Sequence, residues 1–190
     1  MKRVLLLGDS IRMGYCEKVG ELLKGRAQVC WPQENCRFAL YAVASMNNWA
    51  VEVGNADTID VVHWNCGQWD VAQFGGLGRP LMSVEEYGDA LKRVHERIRQ
   101  VFPNAQIIFA LTTPVCDGVP MTAPRTTEDV MRYNEAAAEV MKELNVPIDD
   151  LFEAAKAIPD ELYADAVHYK PEGYAVLAAA VVRALEPYIE

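Results

Sequence analysis

Serine, histidine and long apolar stretches are all scarce in this chain of 190 residues. No apolar run is long enough to cross a bilayer, so we expect no membrane-spanning helix and no membrane partner. The five cysteines form no Cys-x-x-Cys pair, and an odd number is a poor basis for a disulfide framework. The three histidines lack metal-ligand spacing, and no cluster of cysteine and histidine suggests zinc. We therefore expect neither a metal ion nor another cofactor.

Positive charge is also limited, with 18 Lys and Arg against 27 Asp and Glu and a net charge of −9. A nucleic-acid-binding surface needs clustered basic residues that neutralise phosphates, and we find no such cluster. This balance argues against nucleic acid as a partner and also against acidic substrates. The first predicted strand begins within three residues of Met1, which leaves no room for a signal segment. A cytoplasmic location is the simplest expectation, although secretion in a processed form stays open.

Strand-like apolar runs alternate with amphipathic helical stretches, which is typical of a parallel sheet wrapped by helices. With 51% hydrophobic residues the chain suits a single domain, residues 1–190, with one core. We predict an α/β fold, a three-layer α/β/α sandwich around a parallel sheet of about five strands in a flavodoxin-like arrangement. The predicted strands lie at about 3–7, 28–31, 60–65, 106–111 and 146–149, and clear helices at about 84–101, 128–144 and from Pro171 onward.

Polar residues follow these strands, at the edge where ligands bind in open parallel sheets. Loops and helix N-termini gather beyond the carboxyl ends of parallel strands, so side chains from distant parts of the chain meet there. The residues predicted to share this edge are Ser10, Asn35, Asn65, Thr112 and His168.

Among the three serines, Ser10 is the candidate nucleophile because it follows the first strand. Ser45 lies in a helical pattern, and Ser83 has the spacing of an N-cap, with Glu86 completing a capping box. A serine hydroxyl needs an imidazole to remove its proton and a carboxylate to orient that imidazole. Asp165 lies three residues before His168 and could supply both groups.

Each half of this set also has a simple structural explanation. The Gly8-Asp9-Ser10 stretch could be an ordinary strand-to-helix turn, and Asp165 could cap a local turn. The other two histidines are weaker candidates, because His63 is predicted to pack in a strand and His95 lies on an exposed helix face.

These motifs resemble those of the SGNH, or GDSL-type, hydrolase family. The first family block matches Gly8-Asp9-Ser10-Ile11 and the last matches Asp165-Ala166-Val167-His168, so the resemblance spans most of the chain. The resemblance implies a serine esterase with a triad of Ser10, His168 and Asp165. The Gly-x-Ser-x-Gly elbow of the other large hydrolase family is absent around every serine.

The third family block usually reads Gly-x-Asn-Asp, and here Trp69 would occupy the position of the asparagine if Gly67 is aligned with its glycine. A carbohydrate-esterase-like branch instead resembles Asn-x-Gly-x-x-Asp, which Asn65, Gly67 and Asp70 match. The resemblance to this branch implies that the Asn65 amide stabilises the oxyanion of the transition state.

The second family block normally supplies a backbone N–H from a glycine, but no glycine lies between Val29 and Asn48. Asn35 is then expected to close the oxyanion pocket, to hold its loop, or to cap a helix starting near Arg37. If Asn35 is part of the pocket, Cys36 offers its backbone N–H in place of the glycine.

Aromatic and loop residues near these positions are candidates for substrate contact. Trp64 lies on a buried strand and is expected in the core, whereas Trp69 lies in a loop and is the better candidate. The long loop from Thr112 to Arg125 is expected to shape access to the site, and Arg125 could equally pair with a surface acid.

The predicted partner is a small acyl ester, with an O-acetyl group on a carbohydrate as the leading substrate. Thioester or lysophospholipid cleavage would use the same catalytic groups, and a non-catalytic ligand-binding relative is a further alternative. A nucleotide-binding protein is remote, because the first strand is not followed by Gly-x-Gly-x-x-Gly.

Overall fold

A five-stranded parallel sheet forms the centre of the computed structural model, which describes residues 1–76 and 78–190. The strands are β1 (Lys2–Leu7), β2 (Ala27–Cys30), β3 (Val61–Trp64), β4 (Gln106–Ala110) and β5 (Ile148–Asp149). Their spatial order is β2-β1-β3-β4-β5, the flavodoxin-like order, which confirms the predicted fold class. The chain moves in opposite directions from β1 to reach β2 and β3, so a crevice opens beyond the carboxyl ends of β1 and β3.

In the described parts of the chain, six α-helices cover the sheet and complete the three-layer sandwich. The helices are α1 (Ser10–Leu22), α2 (Ala39–Val53), α3 (Val84–Val101), α4 (Thr127–Glu143), α5 (Leu151–Ala155) and α6 (Pro171–Ile189). Helix α6 packs on α1 and α5, and α3 packs on α2 and α4. Short 3₁₀ turns occur at Ala56–Thr58, Phe74–Gly76 and Asp160–Leu162. None of the helices in the described parts of the chain is long and apolar enough to span a membrane.

Burial on both faces explains why the central strands read as continuous apolar runs. All four residues of β3 are buried, as are Val4, Leu5, Leu6 and Leu7 of β1. A parallel strand covered by helices on each side has no solvent-facing positions, so it lacks the polar alternation of a half-exposed strand.

Helix boundaries follow the capping signals of the sequence. Helix α3 begins after Ser83, whose side chain accepts the Glu86 N–H while the Glu86 carboxylate accepts the Ser83 N–H. Helix α4 begins one residue before its predicted start because Thr126 forms the same box with Asp129.

Strand β5 is shorter than predicted and begins at Ile148. The N–H of Val146 bonds to the Met141 carbonyl at the end of α4, and Pro147 has no N–H to donate. The first two residues of the predicted strand therefore cannot donate to the ladder with β4.

Two glycines, each the fifth residue of its helix, provide a matched test of how closely neighbouring helices pack. A Cβ on Gly14 of α1 would lie 2.1 Å from Cζ of Tyr174 in α6, whereas a Cβ on Gly88 of α3 would lie 3.6 Å from its nearest neighbour, Val140. We expect Gly14→Ala to reduce the free energy of unfolding by about 1–3 kcal/mol through overpacking. Gly88→Ala should raise it by about 0.5–1 kcal/mol, because alanine restricts the unfolded chain.

Chemical denaturation of the two variants beside the parent protein measures both changes. Equal stabilisation by both substitutions would contradict the close contact between α1 and α6.

Candidate functional site

A tight turn at the end of β1 presents Ser10 at the carboxyl edge of the sheet. Ser10 is the first residue of α1, and the preceding Asp9 is its N-cap. The buried Asp9 carboxylate accepts the Ile11 N–H through Oδ1 at 2.9 Å, which fixes the direction of the first helical turn. Burial raises the pKa of Asp9, while the Ile11 N–H and the neighbouring Asn65 amide act to lower it.

A chain of hydrogen bonds runs from Ser10 through His168 to Asp165. Ser10 Oγ lies 2.7 Å from His168 Nε2. On the other side of the ring, His168 Nδ1 lies 2.8 Å from Asp165 Oδ2 and 3.1 Å from Oδ1. The three side chains therefore have the order and spacing that a nucleophile, a base and an orienting carboxylate require.

The loop that carries Asp165 and His168 is held by its own hydrogen bonds. Asp165 Oδ1 also accepts the backbone N–H groups of Val167 and His168, each at 2.8 Å. Partial burial acts to raise the pKa of Asp165, but these two N–H groups and the imidazole together hold it below its usual value. Tyr163 and Tyr169 close the base of the loop through an antiparallel bridge, with ring centroids 4.6 Å apart. Asp165 is therefore held as a carboxylate facing the ring.

Gly8 is the point at which the other loops of the site approach Ser10. A Cβ on Gly8 would lie 1.8 Å from Oδ1 of Asn65 and 2.8 Å from Cβ of Arg12. The Gly8 carbonyl also accepts the Cys36 N–H at 3.0 Å. Both Asn65 and the loop after β2 thus lie against the turn that carries Ser10.

This contact corrects the expectation for Cys36. Its backbone N–H is already donated to Gly8, so it does not offer the free donor that was to replace the missing glycine of the second family block. The bond instead fixes the position of the 32–37 loop.

Arg12 reinforces the same contact and was not singled out from the sequence. Its side chain is 1% exposed, and its guanidinium donates to the carbonyls of Gly8, Pro32 and Glu34. Arg12 therefore clamps the start of α1 to the loop after β2. The periodicity of the sequence does not distinguish a buried arginine of this kind from an exposed one. Its main partners are backbone carbonyls, which every residue type provides.

Asn65 lies just beyond β3 and is 5% exposed. Its backbone N–H donates to the Leu7 carbonyl at 3.1 Å, which continues the pairing of β3 with β1. Within the described residues, Asn65 Oδ1 and Asp9 Oδ2 are buried without a hydrogen-bond partner. The amide therefore sits between the Gly8 backbone and the Asp9 carboxyl.

A cavity of about 410 Å³ opens beside Ser10 and His168. Its polar lining consists of Ser10, Asn35, Gln68, Thr122, Arg125, Asp165 and His168. Its apolar lining consists of Trp69, Phe74, Pro120, Met121, Ala123, Ala166 and Val167. The long loop after β4 thus contributes much of one wall. Neither Asn65 nor Gly67 is among the described residues that line this cavity.

Trp69 and Asn35 lie in the cavity wall. The Trp69 ring packs at 5.3 Å from the ring of Phe74, which gives the wall an aromatic surface. Asn35 Oδ1 accepts the Arg37 N–H at 2.7 Å, so its amide braces its own loop. The helix begins at Ala39 with Phe38 as N-cap, so Asn35 does not cap it.

Gly67 and Thr112 support the site from below. Gly67 has a φ of +145°, and a Cβ there would lie 2.1 Å from Thr112 Oγ1, so only glycine fits. Thr112 is 1% exposed and donates to the Cys66 carbonyl, which places it under the site.

Trp64 and His63 belong to the core. The Trp64 ring packs against Phe109 in β4. His63 points to the other side of the sheet, where Nε2 lies 2.8 Å from the buried Asp149 carboxylate.

Gln68 and Arg125 form a second polar feature of the cavity. Gln68 is 1% exposed and donates through Nε2 to the Thr113 carbonyl at 2.7 Å. Its Oε1 accepts the Arg125 Nε–H at 2.7 Å, and Arg125 also donates to the Ala123 carbonyl at 2.8 Å. The arginine therefore faces the cavity and is oriented by a buried amide.

Asp70 links the turn after β3 to helix α2. Its Oδ1 accepts the Ala39 N–H at 2.9 Å, so it caps α2 from a distant part of the chain. Complete burial raises the pKa of Asp70 to about 7, while the Ala39 N–H acts to lower it. The described parts of the chain contain no group of three His, Cys, Asp or Glu side chains arranged for a metal ion.

Comparison with known proteins identifies relatives over most of the chain. Residues 6–176 match the family described as GDSL-like Lipase/Acylhydrolase. A rice protein (Oryza sativa subsp. japonica), GDSL esterase/lipase WDL1, is 23% identical over 137 residues. That alignment covers 66% of this chain and only 52% of the rice protein.

Solved structures of similar fold include a lipase/acylhydrolase from Enterococcus faecalis, with a TM-score of 0.77 and 21% identity over 100% of this chain and 98% of that one. The acetyl xylan esterase AlAXEase has a TM-score of 0.76 and 17% identity over 96% of this chain and 99% of the other. At these identities the likeness concerns the fold alone.

Asp70 makes stability depend on pH. Because the folded pKa of about 7 exceeds the ordinary value, the unfolded chain releases this proton first, and stability falls as pH rises from about 4 to 7. Asp70→Asn removes the ionisation but keeps an oxygen for the Ala39 N–H. We expect the difference in unfolding free energy, variant minus parent protein, to rise across this range by an amount on the order of 4 kcal/mol.

Urea denaturation at pH 4, 5.5, 7 and 8.5 measures the difference between the two proteins. Above pH 8 the difference should be constant, because Asp70 is then ionised in both states. A difference that does not change with pH would mean that Asp70 ionises normally in the folded protein.

Proposed function

The chain belongs to the GDSL-like lipase/acylhydrolase family of ester-hydrolysing enzymes, and on that premise we propose that it is a serine esterase acting on small acyl esters. The observation that carries this proposal is the unbroken hydrogen-bond chain from Ser10 Oγ to His168 and Asp165 at the mouth of a cavity. A protein that only binds ligands has no use for this arrangement.

In the proposed mechanism Ser10 Oγ attacks the ester carbonyl while His168 Nε2 takes the hydroxyl proton. Asp165 holds the ring so that Nδ1 carries a proton and Nε2 can accept one, and it stabilises the imidazolium that forms. His168 then gives its proton to the leaving alcohol as the C–O bond breaks, which leaves an acyl group on Ser10. Water, deprotonated by the same imidazole, cleaves this acyl-enzyme and restores the serine.

The oxyanion that develops on the carbonyl oxygen needs hydrogen-bond donors in fixed positions. Ser10 is the first residue of α1, so its N–H has no acceptor within the helix. The Asn65 amide is the proposed side-chain donor, because it lies against Gly8, two residues before Ser10. Asn35 is the proposed third contact, since its amide is fixed by Arg37 at the cavity wall.

An acetyl group on a carbohydrate is the proposed substrate within this class. The cavity of about 410 Å³ combines an aromatic wall at Trp69 with several polar side chains, as a sugar ring requires. The fold is also shared with a protein described as an acetyl xylan esterase. The apolar wall that includes Phe74 and Met121 favours an alternative, a longer acyl chain as in thioester or lysophospholipid cleavage.

Ester hydrolysis tests the proposal directly. We expect 4-nitrophenyl acetate and butyrate to be hydrolysed with higher kcat/KM than the decanoate, and acetylated xylo-oligosaccharides to be deacetylated. Ser10→Ala should lower kcat by about 10³- to 10⁶-fold, because no other group can form the acyl-enzyme. A fluorophosphonate probe should label Ser10, as peptide mapping by mass spectrometry would show.

Matched variants separate the catalytic set from ordinary polar residues. Ser45→Ala should leave labelling and hydrolysis intact, since Ser45 is buried in α2. Asp165→Asn should slow labelling strongly, whereas Asp160→Asn, an exposed change in the preceding turn, should not. Probe bound to a residue other than Ser10, or decanoate preferred over acetate, would contradict the respective part of the proposal.

The Asn65 amide should act mainly on the transition state. We expect Asn65→Ala to reduce kcat by about 10²- to 10³-fold with little change in KM, because the oxyanion forms only as the reaction proceeds. Steady-state kinetics with 4-nitrophenyl acetate and a thermal melt measure the two effects.

Asn134→Ala is the matched control, since that buried amide bonds to both backbone groups of Thr112 at 2.8 Å and lies outside the cavity lining. It should lower the melting temperature without a comparable loss of kcat. If Asn65→Ala behaved in the same way, Asn65 would be structural.

A further inference from the structure

Arg125 is a half-buried cation that faces the cavity beside Ser10. Its only recorded partners in the described chain are the Gln68 amide oxygen and the Ala123 carbonyl. An arginine has five N–H groups, so these two bonds leave most of the guanidinium uncommitted. None of the ion pairs formed by the described residues includes Arg125, which also corrects the expectation that it could pair with a surface acid.

Arg12 shows what a purely structural arginine looks like in the same protein. It is almost fully buried, and its guanidinium is shared among three backbone carbonyls, with no side toward the cavity. Arg125, in contrast, is turned toward the cavity and is fixed on one side only. A guanidinium that is partly out of water gains from an anion, and the side of Arg125 that no protein acceptor bonds is turned toward the cavity.

The surroundings of Arg125 orient it without neutralising it. Gln68 is itself fixed by the Thr113 carbonyl, so the guanidinium plane is set before any ligand arrives. The carboxylates whose charges act on Arg125 are Asp9 and Asp165, and neither forms an ion pair with it among the described residues. Asp9 is buried under the turn, and Asp165 is already bonded to His168 and two backbone N–H groups.

We propose that Arg125 is a specificity-determining residue that binds a carboxylate carried by the substrate, so that the preferred esters are anionic. The guanidinium offers a planar pair of N–H groups, which is the arrangement that carboxylates accept in bidentate fashion. The net charge of −9 argued against acidic substrates, but charges more than about 10 Å away are largely screened by salt, and the local cation dominates inside a cavity.

This assignment rests on the proposed esterase activity for the reaction, while the charge preference can be measured separately. The carboxylate could belong to either half of the ester, and two pairs of substrates distinguish the halves. Monoethyl glutarate and ethyl pentanoate differ in charge on the acyl chain. The compounds 4-acetoxybutanoate and butyl acetate differ in charge on the alcohol. Product formation is followed by NMR at pH 7.5, where both carboxylates are ionised.

We expect kcat/KM for the anionic member of one pair to exceed that for its neutral partner by about 10- to 100-fold. Arg125→Gln should reduce that ratio to near one, and Arg125→Lys should restore part of it. Arg37→Gln is the matched control, because Arg37 is an exposed cation stacked on Tyr41, 6.0 Å from the Trp69 ring. It should leave the ratio unchanged.

Three outcomes would overturn the assignment. These are equal rates within both pairs, an unchanged ratio in Arg125→Gln, and an equal fall of the ratio in both glutamine variants. A variant that lost stability and lost activity on charged and neutral esters alike would show that Arg125 only braces the loop.

Binding to Ser10→Ala keeps the inference separate from catalysis. Calorimetric titration of this variant should show tighter binding of the preferred anionic ester than of its neutral partner, and Arg125→Gln should remove the difference. If no ester is hydrolysed but this difference is observed, the esterase proposal fails and the anion site stands. If neutral esters are hydrolysed but no difference is observed, the anion site fails and the esterase proposal stands.

Discussion

The missing side chain at Gly8 is the constraint on which the rest of the site depends. Three separate segments of the chain contact this residue: the Asn65 amide packs on its Cα, and its carbonyl accepts bonds from Cys36 and Arg12. A single methyl group at this position would push the Asn65 side chain away from the turn. The sheet brings the loops to one edge, but the short distances between them exist only because one residue in the middle occupies so little space.

Burial divides the site into fixed supports and the accessible side chains of the proposed catalytic set. Asp9, Asn65, Gln68 and Asp70 are at most 5% exposed, so their positions are set by packing and by a few hydrogen bonds. The side chains of His168 and Asp165 are 39% and 57% exposed, which leaves them open to a substrate and to water. Burial raises the pKa values of the supports Asp9 and Asp70, whereas hydrogen bonds from Val167 and His168 outweigh partial burial and lower the pKa of Asp165.

Much of this architecture could be predicted from periodicity and capping, because both depend on neighbouring residues. Helix α3 was predicted with the boundaries it has, since Ser83 and Glu86 lie three residues apart and form its cap. The parallel sheet covered by helices followed from the alternation of strands and helices. Contacts between loops were harder, and the expected role of Cys36 failed because its N–H bonds to Gly8, 28 residues away, which no local pattern records. The pairing of Gln68 with Arg125 across 57 residues was missed for the same reason.

The loop that bears Asp165 and His168 has a consequence for how the hydrogen-bond chain is assembled. The carboxylate and the imidazole are brought together over only three residues, so their mutual ordering costs little chain entropy. Ser10 and His168 are 158 residues apart, so of the two hydrogen-bonded links, Ser10–His168 and His168–Asp165, only the first joins distant parts of the sequence. The carboxylate and the imidazole thus form a local unit, and in the proposed mechanism the activation of Ser10 depends on whether that unit is seated on the end of β1.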